Sequence, residues 1–332
     1  MKKQMISSFA MLLLAIFALV ACGSNEQSQE ENEVKQIKIG ATQIVEHPSL
    51  DAAFEGFKAA LDDNGFVEGE NVTYDFQSAQ GDQNNVATIS NQFVANQVDL
   101  IFTNSTPSTL GALNATNEIP IVFASVSNPV GAGIVEALDQ PGENITGVID
   151  LHPEFTKRTI EFIDTNFEGA KVGYIYNSGE ANSVSQLEAI KEALEGSSLT
   201  LVERTVATSA EVQQAADSLV GNVDVFLMTT DNTVVQGLGS LVGTANDYGI
   251  PLIVGDPESL DAGGFVTYGV DFFSIGYRAG EMAAAILKGE KVPSEMNVEI
   301  PPELSLLINK SAAEAQDVEW NAEWDEIAKI LE

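Results

Sequence analysis

From Ile37 onward the chain alternates short β-branched runs with stretches whose apolar residues recur every three or four positions. The first pattern fits strands buried on both faces, and the second fits amphipathic helices. The alternation predicts a strand over Ile37–Ile44, a helix from about Ser49 to Asn64 closed by Gly65, a strand over Val72–Phe76 and a helix over Asn84–Asn96. It continues with a strand over Val98–Thr103, a helix over Thr106–Asn117, and strands over Pro120–Ala124 and Ile145–Ile149. Pro107 falls in the first turn of its helix, where a missing N–H breaks no hydrogen bond. Strands that are apolar throughout and separated by helices imply a parallel sheet covered on both faces.

The same order then recurs. Lys171-Val-Gly-Tyr-Ile-Tyr176 echoes Lys38-Ile-Gly-Ala-Thr-Gln43, Val223-Asp-Val-Phe-Leu227 echoes Val98-Asp-Leu-Ile-Phe102, and Gly249-Ile-Pro-Leu-Ile-Val254 echoes Glu118-Ile-Pro-Ile-Val-Phe123. Three matches in one order at nearly one spacing point to a whole lobe written twice. Beyond the second copy come a strand over Phe265–Val270, a helix from Ser274 to Lys288 ended by Gly289, a strand over Leu304–Ile308 and a last helix through Leu331. These surplus pieces fit a chain that crosses back to the first lobe and returns to the second. The expected fold is therefore α/β, with two Rossmann-like lobes, parallel sheets and a hinge of three crossovers. Residues 37–149 with 271–302 would form lobe 1, and 150–270 with 303–332 lobe 2. Roughly 300 residues are too many for one ordinary core.

The segment before Ile37 reads differently. Lys2 and Lys3 precede an apolar run from Phe9 to Val20 that ends at Ala21-Cys22. A run of about a dozen residues is too short to cross a hydrocarbon core of ~30 Å and reads as a signal-peptide core, residues 1–22 in all. Leu19-Val20-Ala21-Cys22 resembles the lipobox of bacterial lipoproteins, whose cysteine is acylated. Cys22 is the sole cysteine, so it has no partner for an internal disulfide, and lipidation explains its presence. An ordinary secretory signal ending in cysteine is the alternative. Residues 23–36 are polar and acidic, a disordered tether whose reach is on the order of 20 Å. The expected location is extracytoplasmic, anchored to the cell membrane through lipid on Cys22.

Charge narrows the choice of partner. The chain carries 15 basic against 49 acidic residues, a net charge of −34, with no basic cluster to interrupt the field. Nucleic acid, anionic lipid surfaces and polyanionic ligands are poor partners for such a surface. No phosphate-binding Gly-x-x-x-x-Gly-Lys-Ser/Thr, no Gly-x-Ser-x-Gly and no histidine pair at metal-ligand spacing is present. A scattered triad of His47, Ser105 and Asp231 has nothing in its spacing to recommend it. Neither an enzyme nor a metal or cofactor is expected, and the body is expected to be a monomer.

In open parallel sheets, ligands bind beyond the carboxyl ends of the strands. The candidates in lobe 1 are Glu46 and His47, Asn104, Ser105 and Thr106, and Ser125, Ser127 and Asn128. In lobe 2 they are Asn177, Glu180 and Asn182, then Thr230, Asp231 and Asn232, then Asp256, and the crossover from Tyr268 to Asp271. Ser105 and Thr106 open a helix, whose free N–H groups attract an anion, and Ser125 and Ser127 add hydroxyls beside them. Asp231 and Asp256 can pair with an ammonium group. A carboxylate on one lobe and an ammonium on the other is what an α-amino acid requires. Plainer roles stay open: Ser105, Thr106 and Asp231 as helix caps, His47 as a packing residue, Glu46 and Glu180 as rim charges, and His152 as part of the hinge.

Gln43-Ile-Val-Glu-His-Pro-Ser-Leu-Asp51, Ser125-Val-Ser-Asn-Pro-Val-Gly131 and Tyr268-Gly-Val-Asp271, with Gly276, Ala279 and Gly280 behind it, carry a resemblance. The chain from Cys22 onward resembles the two-lobed solute-binding proteins of ABC importers, of type I periplasmic-binding-protein fold. More narrowly it is similar to the lipoprotein family of tryptophan/tyrosine ABC transporter substrate-binding proteins. An alanine is common in that family where this chain has Ser49, a departure expected to lie outside the pocket. The resemblance implies an aromatic amino acid as ligand, with Tyr268, Tyr176 and Phe123 as candidate ring contacts, although strand aromatics also serve as core. It also implies closure of two lobes on the ligand and docking on a permease driven by a cytoplasmic ATPase. A sensing receptor for another small solute (a branched amino acid, nucleoside or sugar) is the alternative reading.

Overall fold

The computed structural model describes residues 36–332, so the expected signal segment, the acylated Cys22 and nearly all of the polar tether lie outside the described residues. The first sheet holds β1 (Ile37–Gln43), β2 (Val72–Ser78), β3 (Leu100–Asn104), β4 (Ile121–Val126) and β5 (Ile145–Ile149) in the order β2-β1-β3-β4-β5. Every pairing in it is parallel. Successive strand residues point to opposite faces, and the strands are apolar on both. Leu100, Phe102, Val122 and Ala124 pack on one side with α1 (Pro48–Asp63), while Ile101, Ile121 and Phe123 pack on the other with α2 (Gln83–Ala95) and α3 (Thr106–Ala115).

The second sheet contains β6 (Lys171–Tyr176), β7 (Thr200–Thr205), β8 (Val225–Leu227), β9 (Leu252–Ile253), β10 (Val266–Gly269), β11 (Ser305–Asn309) and β12 (Lys329–Leu331). Their order is β12-β11-β10-β9-β8-β6-β7. One core layer joins Val172, Tyr174, Val225 and Leu227 to α4 (Phe155–Asn166) and α5 (Ala181–Ala193). The opposite layer joins Ile175, Phe226 and Leu252 to α6 (Val212–Leu219) and α8 (Leu238–Tyr248). Between α6 and α8 in the chain lies α7 (Asn232–Gln236), which follows β8 and begins at the cleft described below.

Two expectations need correction here. The second sheet is mixed, because β11 runs antiparallel to β10, with Val266 opposite Ile308 and Gly269 opposite Ser305. The chain reaches β11 after returning from the first sheet, so it enters from the strand-tip side and runs back. The final helix does not extend through Leu331. After the short helices α11 (Lys310–Ala315) and α12 (Trp324–Ile327), residues Lys329–Leu331 form an edge strand paired with Leu307–Asn309.

The chain passes between the sheets three times: from β5 to α4, from β10 to α10 (Phe272–Leu287), and from Glu299 to β11. Helix α10 follows a strand of the second sheet yet packs against α1 on the first. Small residues allow that approach. A Cβ on Gly276 would collide with the Ala53 carbonyl, and one on Gly56 with the Phe273 carbonyl. The segment before β11 also lies along the first sheet, where Ile149 N donates to Glu299 O at 3.0 Å and Glu299 N to Gly147 O at 2.9 Å.

Candidate functional site

Strand tips of both sheets face one cleft, and a small cavity of about 30 Å3 lies within it. Its lining residues sit at or beyond carboxyl strand ends. Val45, His47, Ser49 and Leu50 follow β1, Thr106 follows β3, Ser125 and Ser127 flank the last residue of β4, and Asp150 follows β5. Opposite them stand Asn182 after β6, Thr230, Asn232 and Val235 after β8, Asp256 after β9 and Phe272 after β10.

Local backbone geometry places the hydroxyls on the first side. The β4–β5 register shifts between Phe123 and Val126, and Ser125 takes the left-handed φ of 56°. Ser105 caps α3 with a φ of 133°, its Oγ accepting from Ser108 N at 3.3 Å, which leads Thr106 into the cavity. A non-glycine residue in such a conformation costs free energy and persists where its surroundings hold it. The Thr106 and Ser125 hydroxyls are buried and meet no protein partner. Unpaired buried polar groups are costly, and a ligand that pairs them recovers that cost.

The acidic groups differ sharply in what they are free to do. Asp150 is 8% exposed, and its Oδ1 has no hydrogen-bond partner. Burial pushes its carboxyl up to about 6, with the charge of Asp256 adding to the rise and a hydrogen bond from Ser127 opposing it. Asp256 caps α9 (Pro257–Asp261), its Oδ1 accepting from Ser259 N at 2.8 Å and its Oδ2 from Ser259 Oγ at 2.7 Å. Asp231, expected to face a ligand amine, instead lies outside the lining. It is fully buried beneath α7, with Oδ1 accepting from Thr233 N at 3.0 Å and Val234 N at 2.8 Å, and Oδ2 from Asn177 N at 2.6 Å. Burial and the nearby charge of Glu180 push the Asp231 carboxyl up to about 6.

Glu180 is a buried clamp and not a rim charge. Its Oε1 accepts from Thr233 Oγ1 at 2.7 Å, and its Oε2 accepts from Asn232 Nδ2 at 2.6 Å. These bonds tie the starts of α5 and α7 together. They hold Asn182 and Asn232 at the cavity wall, where the Asn182 Oδ1 is buried without a partner.

The remaining predicted residues take several places. His47 lines the cavity and caps α1, its Nδ1 accepting from Ser49 N at 3.3 Å. Ser127 lines the cavity, whereas Glu46 is exposed. Asn104 turns away, donating to Leu50 O at 2.6 Å, and Asn177 secures α7 through Thr233 Oγ1 at 2.8 Å. Asp271 caps α10, where its Oδ2 accepts from Ser274 Oγ at 2.8 Å. None of the three expected aromatics lines the cavity: Tyr268 and Tyr176 join the core against α4 and α5, and Phe123 is wholly buried in the first sheet. The aromatic ring that does line it is Phe272. His152 lies in the first crossover, where its Nδ1 accepts from Glu154 N at 3.1 Å.

Ser49 is a further correction, since it lies inside the pocket. Its hydroxyl spans the cleft, 2.9 Å from Asp256 Oδ1 and 2.8 Å from Glu258 Oε2. Burial and the Asp256 charge raise the Glu258 carboxyl, with the hydrogen bond from Ser49 opposing the rise. Two more bonds cross the cleft: Ser127 Oγ to Thr230 Oγ1 at 3.2 Å, and Asn128 Nδ2 to Ser185 Oγ at 2.7 Å. The two sides are closed on each other.

Comparison with known proteins agrees with this geometry. A profile of ABC transporter substrate-binding proteins matches residues 38–329. The tyrosine-binding protein of Clostridioides difficile is 37% identical over 324 residues, spanning 96% of this chain and 93% of that relative. The ABC domain in complex with L-Trp from Streptococcus pneumonia is 30% identical, covers 90% of this chain and 100% of its own, and superposes with a TM-score of 0.84. The ligand-free, open structure of a substrate-binding protein with adhesive properties from Clostridium difficile is 37% identical, covers 89% of this chain and 99% of its own, and has a TM-score of 0.66. The open structure is closer in sequence but superposes less well, in keeping with a chain whose two sides are bonded across the cleft.

Proposed function

The chain belongs to the ABC transporter substrate-binding proteins, and from that premise we propose that it captures an aromatic α-amino acid outside the cytoplasm and presents it to a membrane importer. Two lobes, 37–149 with 271–302 and 150–270 with 303–332, would close on the ligand about the three crossovers. The observation that carries the reading is the set of buried, unpaired groups of complementary kind around one cavity. Thr106 and Ser125, beside the N-terminus of α3, suit a carboxylate. The free Oδ1 of Asp150 suits an ammonium, and Phe272 with Val45, Leu50 and Val235 offers an apolar wall to a ring. The tyrosine-binding relative and the L-Trp complex support the same side chain.

Ligand contacts from both sides favour the closed form over the open one. A dissociation constant of about a micromolar corresponds to roughly −8 kcal/mol, within reach of one charge-assisted pair, a few hydrogen bonds and one buried ring. A permease pair driven by a cytoplasmic ATPase is the proposed partner of the closed form. A thermal-shift screen of small solutes tests the assignment: Trp, Tyr or Phe should stabilise the protein most, and a sugar or nucleoside as the sole stabiliser would overturn it.

The proton balance at Asp150 gives a second expectation. A carboxyl raised to about 6 is neutral below that pH and then cannot pair with an ammonium. Ligand binding favours the ionised form, so binding expels a proton at low pH. Affinity should be level above about pH 6 and fall by up to about tenfold per pH unit below it. Calorimetry across that range checks the slope, and the Asp150→Asn variant should lack it.

Lipid attachment is proposed through Cys22, with residues 23–36 as the tether. No helix among the described residues is long and apolar enough to cross a membrane. Cys22→Ser should therefore release the protein into the medium, measured by fractionation and immunoblot, and retention at the membrane would speak against acylation.

A further inference from the structure

The charges around the cavity are one-sided. Among the described residues that line it, Asp150 and Asp256 are the acids, and no lysine or arginine lines it. The His47 Nδ1 accepts the Ser49 N–H at 3.3 Å and so is engaged in capping α1. Behind the second-sheet wall stand three more carboxyl groups: Glu258 against Ser49, Glu180 under Asn232, and Asp231 beneath α7. On the first-sheet side the unpaired groups that line the cavity are two hydroxyls, Thr106 Oγ1 and Ser125 Oγ, and the Asp150 carboxylate itself. The whole chain, at −34, draws cations toward the cleft and repels anions.

The two ends of an amino acid therefore meet unequal support. A ligand without its ammonium would bury a carboxylate beside Asp150 and Asp256 with no positive charge to offset any of them. A ligand without its carboxylate would leave two hydroxyls to water, and it would also remove an anion from an acidic pocket. We propose that the amine is the obligatory feature of the ligand and the carboxylate the dispensable one, so that the same pocket also binds aromatic primary amines. This deepens the amino-acid reading above and rests on it.

Titration calorimetry on the full chain at neutral pH, with L-tryptophan, tryptamine and 3-(indol-3-yl)propionate, and with the matching tyrosine series, tests the proposal. Each amine should bind within about tenfold of its amino acid, and each acid at least about a hundredfold more weakly. Asp150→Asn should weaken amine and amino acid alike, which adsorption of a cation to the acidic surface would not show. An amine more than tenfold weaker than an amino acid that binds would overturn the inference while leaving the proposed function in place. Failure of every member of both series would remove the proposed function itself, and this inference with it.

Discussion

Asp150→Asn should leave the protein folded and weaken its aromatic amino-acid ligand by at least about a hundredfold in a calorimetric titration. The substitution keeps the shape of the side chain and removes its charge. The sign of the stability change separates this variant from a folding defect. A rise from the ordinary 3.8 to about 6 means that the ionised Asp150 costs the folded protein about 3 kcal/mol at neutral pH. The cost begins near the unfolded value of about 4, grows to about 6 and is constant above. The ligand-free asparagine variant should thus melt no lower than the parent at neutral pH. Asp231→Ala is the contrast: it leaves three backbone N–H groups without their acceptor, which loosens α7 and lowers the melting temperature before it touches the ligand.

The second large effect is structural. Gly276→Ala should lower stability by about 3 kcal/mol or more, seen as a fall of more than about 6 °C in the melting temperature. The added methyl would meet the backbone of Ala53, which no rotamer change can move, so α10 must separate from α1. Those helices cover the face of the first sheet that holds Leu100, Phe102 and Val122. Gly243→Ala is the control, since a Cβ there meets nothing within 4 Å on the exposed side of α8. It should be neutral, or stabilise by roughly 0.5–1 kcal/mol through the better helix propensity of alanine. Equal losses at both glycines would contradict direct packing of the two helix backbones.

Much of the fold was legible because the strands are apolar on both faces. Ile39, Leu100 and Val122 could only be interior, and the echo of Lys38–Gln43 in Lys171–Tyr176 marked the second sheet. The reversed β11 was not legible, because Leu304–Ile308 reads the same in either direction and its orientation depends on where the chain re-enters. The closing strand Lys329–Leu331 was hidden for another reason. Three residues carry no periodicity, and their partner Leu307–Asn309 lies far back along the chain.

The site follows the strand-tip rule closely, and the departures from it come down to where individual side chains point. Asp150 is the residue after β5, so the rule reaches it when applied to every strand of the first sheet. Phe272 follows β10 in the same way, whereas Tyr176, Tyr268 and Phe123 lie within strands, and their rings turn into the core. Sequence alone cannot rank Asp150 above Asp231. An acid before a helix is equally fit to cap it or to face the cleft, and the direction of one side chain decides. Ser49 is illegible for a related reason, since its partners Asp256 and Glu258 come from the other sheet.

Asp150, a buried carboxylate on the cleft, is the proposed partner of the ammonium of an aromatic ligand. In a crystal structure with L-tyrosine or L-tryptophan bound, the ligand nitrogen should lie within about 3.2 Å of the Asp150 carboxylate, its carboxylate beside Thr106 and Ser125, and its ring against Phe272. A ligand whose nitrogen pairs elsewhere, or one bound outside the cleft, would contradict this pairing.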